Sequence, residues 1–187
     1  MLNYKHLLAM SDETGMLQFS NLSTPDSRSG YTLDDNARAL MVALYMDDDA
    51  YLYSRRYLNF LANAQRRDGV WSNFLLDGLY YSRFDSEDSI GRAVMACSAA
   101  SRSQWPDLAA LGGRLILNQL TELPAFNSPR AIAYSLVGLC NGIIPCPDAF
   151  LVQTVRRLAD FLLGRYEATR GRLWWWFEEY LTYCNGI

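Results

Sequence analysis

An alternation between two kinds of helix constrains this chain more than any other feature. The helices predicted over Asp34–Met46, Asp88–Ala100 and Pro129–Asn141 are apolar nearly all round. Leu40, Met41, Val42, Ala43 and Leu44 fill the first, Val94, Met95, Ala96 and Cys97 the second, and Ile132, Leu136, Val137 and Leu139 the third. The helices predicted over Ala50–Gln65, Pro106–Thr121 and Pro147–Glu167 each keep one wet face. In the last of these, Leu151, Thr154, Val155, Leu158, Phe161 and Leu162 make a dry stripe at helical spacing. A helix hydrophobic on every side has to be buried on every side, whereas an amphipathic one meets water once. Taken in turn, the two kinds imply an inner and an outer layer of helical hairpins, an all-α fold of the α/α-toroid type. Pro106, Pro129 and Pro147 fall near first helical positions, where a missing N–H does little harm. Strands have little room, although Leu75–Arg83 leaves space for a small β excursion.

The chain of 187 residues suits one domain. We divide it into a lead-in helix and loop over 1–30 and hairpin repeats over 31–187. Three hairpins are complete and a fourth inner helix has only begun at Ile187. The flank of the third hairpin is therefore expected to be open, covered by another copy or a partner chain, or else exposed by truncation. An internal echo supports a repeat: Gly69-Val70-Trp71-Ser72-Asn73-Phe74 precedes one acidic helix start, and Gly171-Arg172-Leu173-Trp174-Trp175-Trp176-Phe177 runs into another.

A formal net charge of −3 argues against nucleic acid as a partner. No apolar run reaches the ~18 residues that cross a bilayer, so no membrane partner is expected. Met1 to Met10 lacks the apolar region of a signal peptide. The four cysteines (Cys97, Cys140, Cys146 and Cys184) form no CxxC pair, and the lone His6 lies far from them. That spacing offers no zinc site. Cys97 and Cys140 read as small core residues, which points to reduced thiols and a cytoplasmic setting. Neither a metal nor a cofactor is expected.

The chemistry gathers at the starts of the inner helices. Asp34 and Asp35 open the first, Glu87 and Asp88 the second, and Glu178 and Glu179 stand where a fourth should begin. Ser128-Pro129-Arg130-Ala131 opens the third with an Arg-Ala but no acid. Inner helices of a toroid all run the same way, so these carboxylates would meet on one rim. Asn36, Arg38, Trp71, Tyr81, Arg92 and Trp176 are the candidates for contact with a ligand there. Aromatic faces stack on the C–H faces of a pyranose while acids accept its hydroxyls, and a pair of carboxylates can divide acid and base roles in glycosidic cleavage. The plainer reading stands beside it: an acid in the first turn caps a helix and complements its dipole by about 0.3–1 kcal/mol. Arg38 and Arg92, one turn in, read more readily as partners of neighbouring acids than as ligand contacts. There is no G-x-S-x-G elbow and no glycine-rich phosphate loop.

Asp12-Glu13-Thr14-Gly15-Met16-Leu17-Gln18, Tyr31-Thr32-Leu33-Asp34-Asp35-Asn36-Ala37-Arg38-Ala39-Leu40, Ser86-Glu87-Asp88-Ser89, Ser128-Pro129-Arg130-Ala131 and Trp176-Phe177-Glu178-Glu179-Tyr180-Leu181-Thr182-Tyr183 together resemble a bacterial α/α-toroid domain. Domains of that kind occur beside or fused to glycosyltransferases, and their fold is similar to the six-hairpin glycosidases. The resemblance runs in order along nearly the whole chain. It implies association with carbohydrate and, if the rim acids act, a glycoside-hydrolase-like reaction. The alternatives are a non-catalytic module that binds glycan or docks on a glycosyltransferase, and an inactive fragment. Two departures are visible: Cys184 comes after Leu181-Thr182-Tyr183 where the family has an acid, and the family domain continues through further hairpins.

Overall fold

The computed structural model describes residues 3–82, 87–120, 125–141 and 149–171. They are mostly helical, with two small sheets. The helices are α1 (Lys5–Ala9), α2 (Leu33–Ala43), α3 (Ala50–Ala64), α4 (Glu87–Ser101), α5 (Pro106–Gln119), α6 (Pro129–Asn141) and α7 (Ala149–Thr169). The expected boundaries agree closely, because capping and Pro at the first turn mark them well. Thr32 caps α2, accepting a hydrogen bond from the Asp35 N–H at 3.0 Å, and Pro106 opens α5.

The helices form consecutive pairs: α3 packs on α2, α5 on α4 and α7 on α6. The first members also pack on one another, α2 against α4 and α4 against α6. α4 and α6 run parallel and very close. A Cβ on Gly91 would lie 2.5 Å from the Ala131 carbonyl oxygen, and one on Gly138 would lie 2.9 Å from the Met95 Cα. Farther along, Ser98 Oγ donates to the Gly138 carbonyl and Arg102 reaches the Asn141 carbonyl at 2.8 Å. The second members also run parallel where α3 meets α5: Tyr51 donates to Asp107 at their starts, and Gln65 donates to the Leu115 carbonyl at their ends. Between these layers lies a core of Leu33, Leu40, Leu58, Leu61, Val94, Leu108 and Ile132.

Three expectations need correction. α2 is not buried all round, because Val42 and Tyr45 face outward near its C-terminal end. Cys140 is exposed on α6, so only Cys97 of that pair is a core residue. Strands are also more frequent than expected. A hairpin of β1 (Ser20–Asn21) and β2 (Thr24–Pro25) interrupts the lead-in, and β3 (Tyr31–Thr32) joins β4 (Phe74–Leu76) and β5 (Leu79–Tyr81) in an antiparallel sheet. The β4–β5 hairpin falls where the β excursion was expected. β3 is two residues long and pairs across more than forty positions of sequence, so no local pattern announces it.

The lead-in is fastened to the start of α2. Asn36, fully buried, accepts from the Met16 N–H at 2.8 Å and donates to the carbonyls of Met16 and Thr32. Gly15 passes so near that a Cβ there would lie 2.3 Å from Asn36 Oδ1. No described helix is long and apolar enough to cross a membrane.

Candidate functional site

The starts of α2, α4 and α6 meet at one end of the bundle, and the described rim acids are all engaged there. Asp34 faces Arg92 of α4 at 2.9 Å and also pairs with Arg38 of its own helix. The Asp34 Oδ1 and Arg92 Nε atoms are buried and attract one another as an ion pair, although the N–H is not aimed at the oxygen as in a hydrogen bond. Asp88 repeats the relation one hairpin on, pairing with Arg130 of α6 and accepting from Ser128 Oγ at 2.9 Å. Glu87 accepts from the backbone N–H groups of Asn127 and Ser128 at 2.8 and 2.6 Å, in the loop entering α6. Carboxylates bonded by charged donors and backbone N–H groups join neighbouring hairpins at each step.

Asp35 is the exception in character. Its Oδ2 accepts from the Thr32 hydroxyl at 2.6 Å, and Arg38 lies 3.3 Å away. Burial nevertheless pushes its carboxyl above the usual range, against the lowering effect of Thr32 and Arg38. The Thr32 hydroxyl thus accepts from the Asp35 N–H and donates to the Asp35 carboxylate, which is part-buried.

The other expected contact residues divide. Arg92 has its guanidinium 4.7 Å from the Tyr134 ring centre, so it links α2, α4 and α6 at once. Arg38 remains more exposed, although both its acids hold it. Trp71 cannot be a sugar platform: it is 1% exposed and donates its indole N–H to the Leu61 carbonyl at 2.8 Å, inside the core. Asn36 is likewise consumed by the lead-in and has no free polar atom for a ligand. Tyr81 stays partly open, with its ring 5.4 Å from that of Phe74. Glu178, Glu179 and Trp176 lie outside the described residues. Sequence reasoning missed Arg130 and Ser128 as partners of Asp88; the signal was the Arg-Ala shared by α2, α4 and α6. Among the described residues no group of histidine, cysteine, aspartate and glutamate could hold a metal ion.

A cleft of about 570 Å³ opens at the other end, between the C-terminal turns of α2, α4 and α6 and the turn from α4 to α5. Tyr45, Met95, Arg102, Gln104, Trp105 and Asn141 contribute to its wall. Among the described residues, no acid lines it.

Comparison with protein-family models, with curated proteins and with solved structures finds no match to this chain.

Proposed function

We propose that the chain is a non-catalytic, carbohydrate-binding module built on the α/α-toroid plan. One observation carries this reading. Each described rim carboxylate already holds a partner from its own helix or from the next hairpin, with Asp34 on Arg92, Asp88 on Arg130 and Glu87 on the Asn127 and Ser128 amides. Such acids act as joints between hairpins and are poorly placed to exchange protons with a substrate. The parallel inner helices and their consecutive partners support the toroid plan, and the resemblance in the sequence supports carbohydrate. The reading includes a cytoplasmic setting, consistent with the free thiols of Cys97 and Cys140. It also includes a second copy or a glycosyltransferase as cover for the flank where Phe150, Leu163 and Tyr166 of α7 are exposed. Light scattering behind a sizing column would then give a mass above that of the 21.3 kDa chain; a clean monomer removes the self-association part.

A second reading is favoured by Asp35 alone. A shielded carboxyl with a raised pKa is what a general acid requires, and it would make the domain glycosidase-like. Incubation with neutral hexasaccharides of glucose, xylose or mannose separates the two. The binding module should retain sugar without releasing reducing ends, both as wild type and as Asp35→Asn or Glu87→Gln. Release by the wild type that Asp35→Asn abolishes would establish the second reading instead.

A further inference from the structure

The cleft at the C-terminal turns of the inner helices lies about 20 Å from the acidic rim, one helix length along α4 at 1.5 Å per residue. Its volume of about 570 Å³ falls within the range of small-ligand sites. Two rings flank it. Trp105 is half-buried at the start of α5 and is steadied by Tyr51, whose ring centre is 5.7 Å away and whose hydroxyl is fixed on Asp107 at 2.8 Å. Tyr45 projects beyond the last turn of α2 and is 76% exposed.

The charge balance narrows the ligand. Three helices end here, and their carbonyl ends disfavour an anion. Arg102 sets its guanidinium on the last carbonyl of α6, at Asn141, which offsets that negative end and disfavours a cation. What remains is a nearly neutral hollow with flat rings on its walls and with an amide from Gln104, an amide from Asn141 and a guanidinium at hand. That combination suits a neutral, polyhydroxylated ring, with apolar C–H faces for the aromatics and hydroxyls for the amides.

We infer that this cleft, and not the acidic rim, holds the sugar: a neutral hexopyranose or pentopyranose unit lies against Trp105 and Tyr45 and is hydrogen-bonded by Gln104, Asn141 and Arg102. The inference rests on the carbohydrate-binding reading and gives it a place. The rim then keeps the hairpins in register while the opposite end does the binding.

The test is calorimetric titration of the full chain with neutral hexasaccharides of glucose, xylose and mannose, for the wild type and for Trp105→Ala, Tyr45→Ala, Gln104→Ala and Asp35→Asn. The expected result is a Kd raised tenfold or more by Trp105→Ala and several-fold by Tyr45→Ala and Gln104→Ala, with Asp35→Asn unchanged. Tyr45 and Gln104 are exposed, so their variants decide the matter even if Trp105→Ala fails to fold. Binding that survives all the cleft variants and weakens in Asp35→Asn would overturn the inference and leave carbohydrate binding standing at the rim. A wild type that takes up none of the hexasaccharides would overturn both.

Discussion

Asp34 at the start of α2 and Arg92 at the start of α4 stand 2.9 Å apart, and Arg92 also lies over the Tyr134 ring of α6. One side chain therefore holds three helices at their common end. Replacing Arg92 with alanine removes one of the two guanidinium partners of a part-buried carboxylate and a ring contact, which should destabilise the fold by about 1–3 kcal/mol. Urea unfolding measures the loss. A double-mutant cycle with Asp34→Ala should return a coupling of about 0.5–2 kcal/mol, and a coupling near zero would refute the joint.

The approach of α4 to α6 predicts opposite outcomes at two glycines. At Gly91 a methyl group would meet the Ala131 carbonyl oxygen at 2.5 Å. Gly91→Ala should therefore lower stability by about 1–3 kcal/mol as the helices are forced apart. Gly113, on α5, has nothing within 4 Å of that position. Gly113→Ala should instead stabilise by about 0.5–1 kcal/mol through better helix propensity. Thermal denaturation of both variants checks the contrast.

Asp35 should titrate above the ordinary carboxylate value of 3.8, since burial outweighs its hydrogen bond from Thr32. Linkage fixes the sign of the effect on stability. Between the unfolded and the folded pKa the native state holds more protons, so stability falls as pH rises through that window. Asp35→Asn should flatten this part of the stability–pH curve. Carboxyl NMR titration gives the pKa directly, and a midpoint at or below 3.8 would contradict the shielding.

Asn36 ties the lead-in to α2 through two hydrogen bonds to Met16 and makes a third to the Thr32 carbonyl, all in a fully buried place. Asn36→Ala leaves the Met16 amide and carbonyl without that partner, and should cost about 2–4 kcal/mol. Amide exchange at Met16 and Leu17 should rise well before exchange in α4 does. Uniform loss of protection would mean that the lead-in and the bundle open as one unit.

Much of the helical plan was legible in the residues, because the signals that set it are local. Apolar periodicity, Thr32 with Asp35, and the prolines of α5 and α6 placed the helix limits to within a few positions. The common direction of α2, α4 and α6 agrees with the expectation that their polar starts meet at one end. The roles at the rim depended on contacts between distant segments. Trp71 looked like a platform from its neighbours in sequence, but a glycine turn folds its ring back into the core, where the Leu61 carbonyl takes its N–H. Asp88 looked like an open acid until Arg130, forty-two positions later, came to rest against it. The cleft was invisible for a related reason: Tyr45, Arg102 and Asn141 come from three different helix ends and share no motif.

The salt links at the rim have a direction. The arginine of α4 reaches back to the acid of α2, and the arginine of α6 reaches back to the acid of α4. The stretch from Glu87 to Gln119 therefore carries a complete connector, with Arg92 as the plug for the hairpin before it and Asp88 as the socket for the hairpin after it. A tandem copy of that stretch would offer its own Arg92 to an Asp88 placed as Asp34 is now. Growth by whole hairpins could then proceed without inventing a new contact, and the same polarity would reject a hairpin inserted back to front.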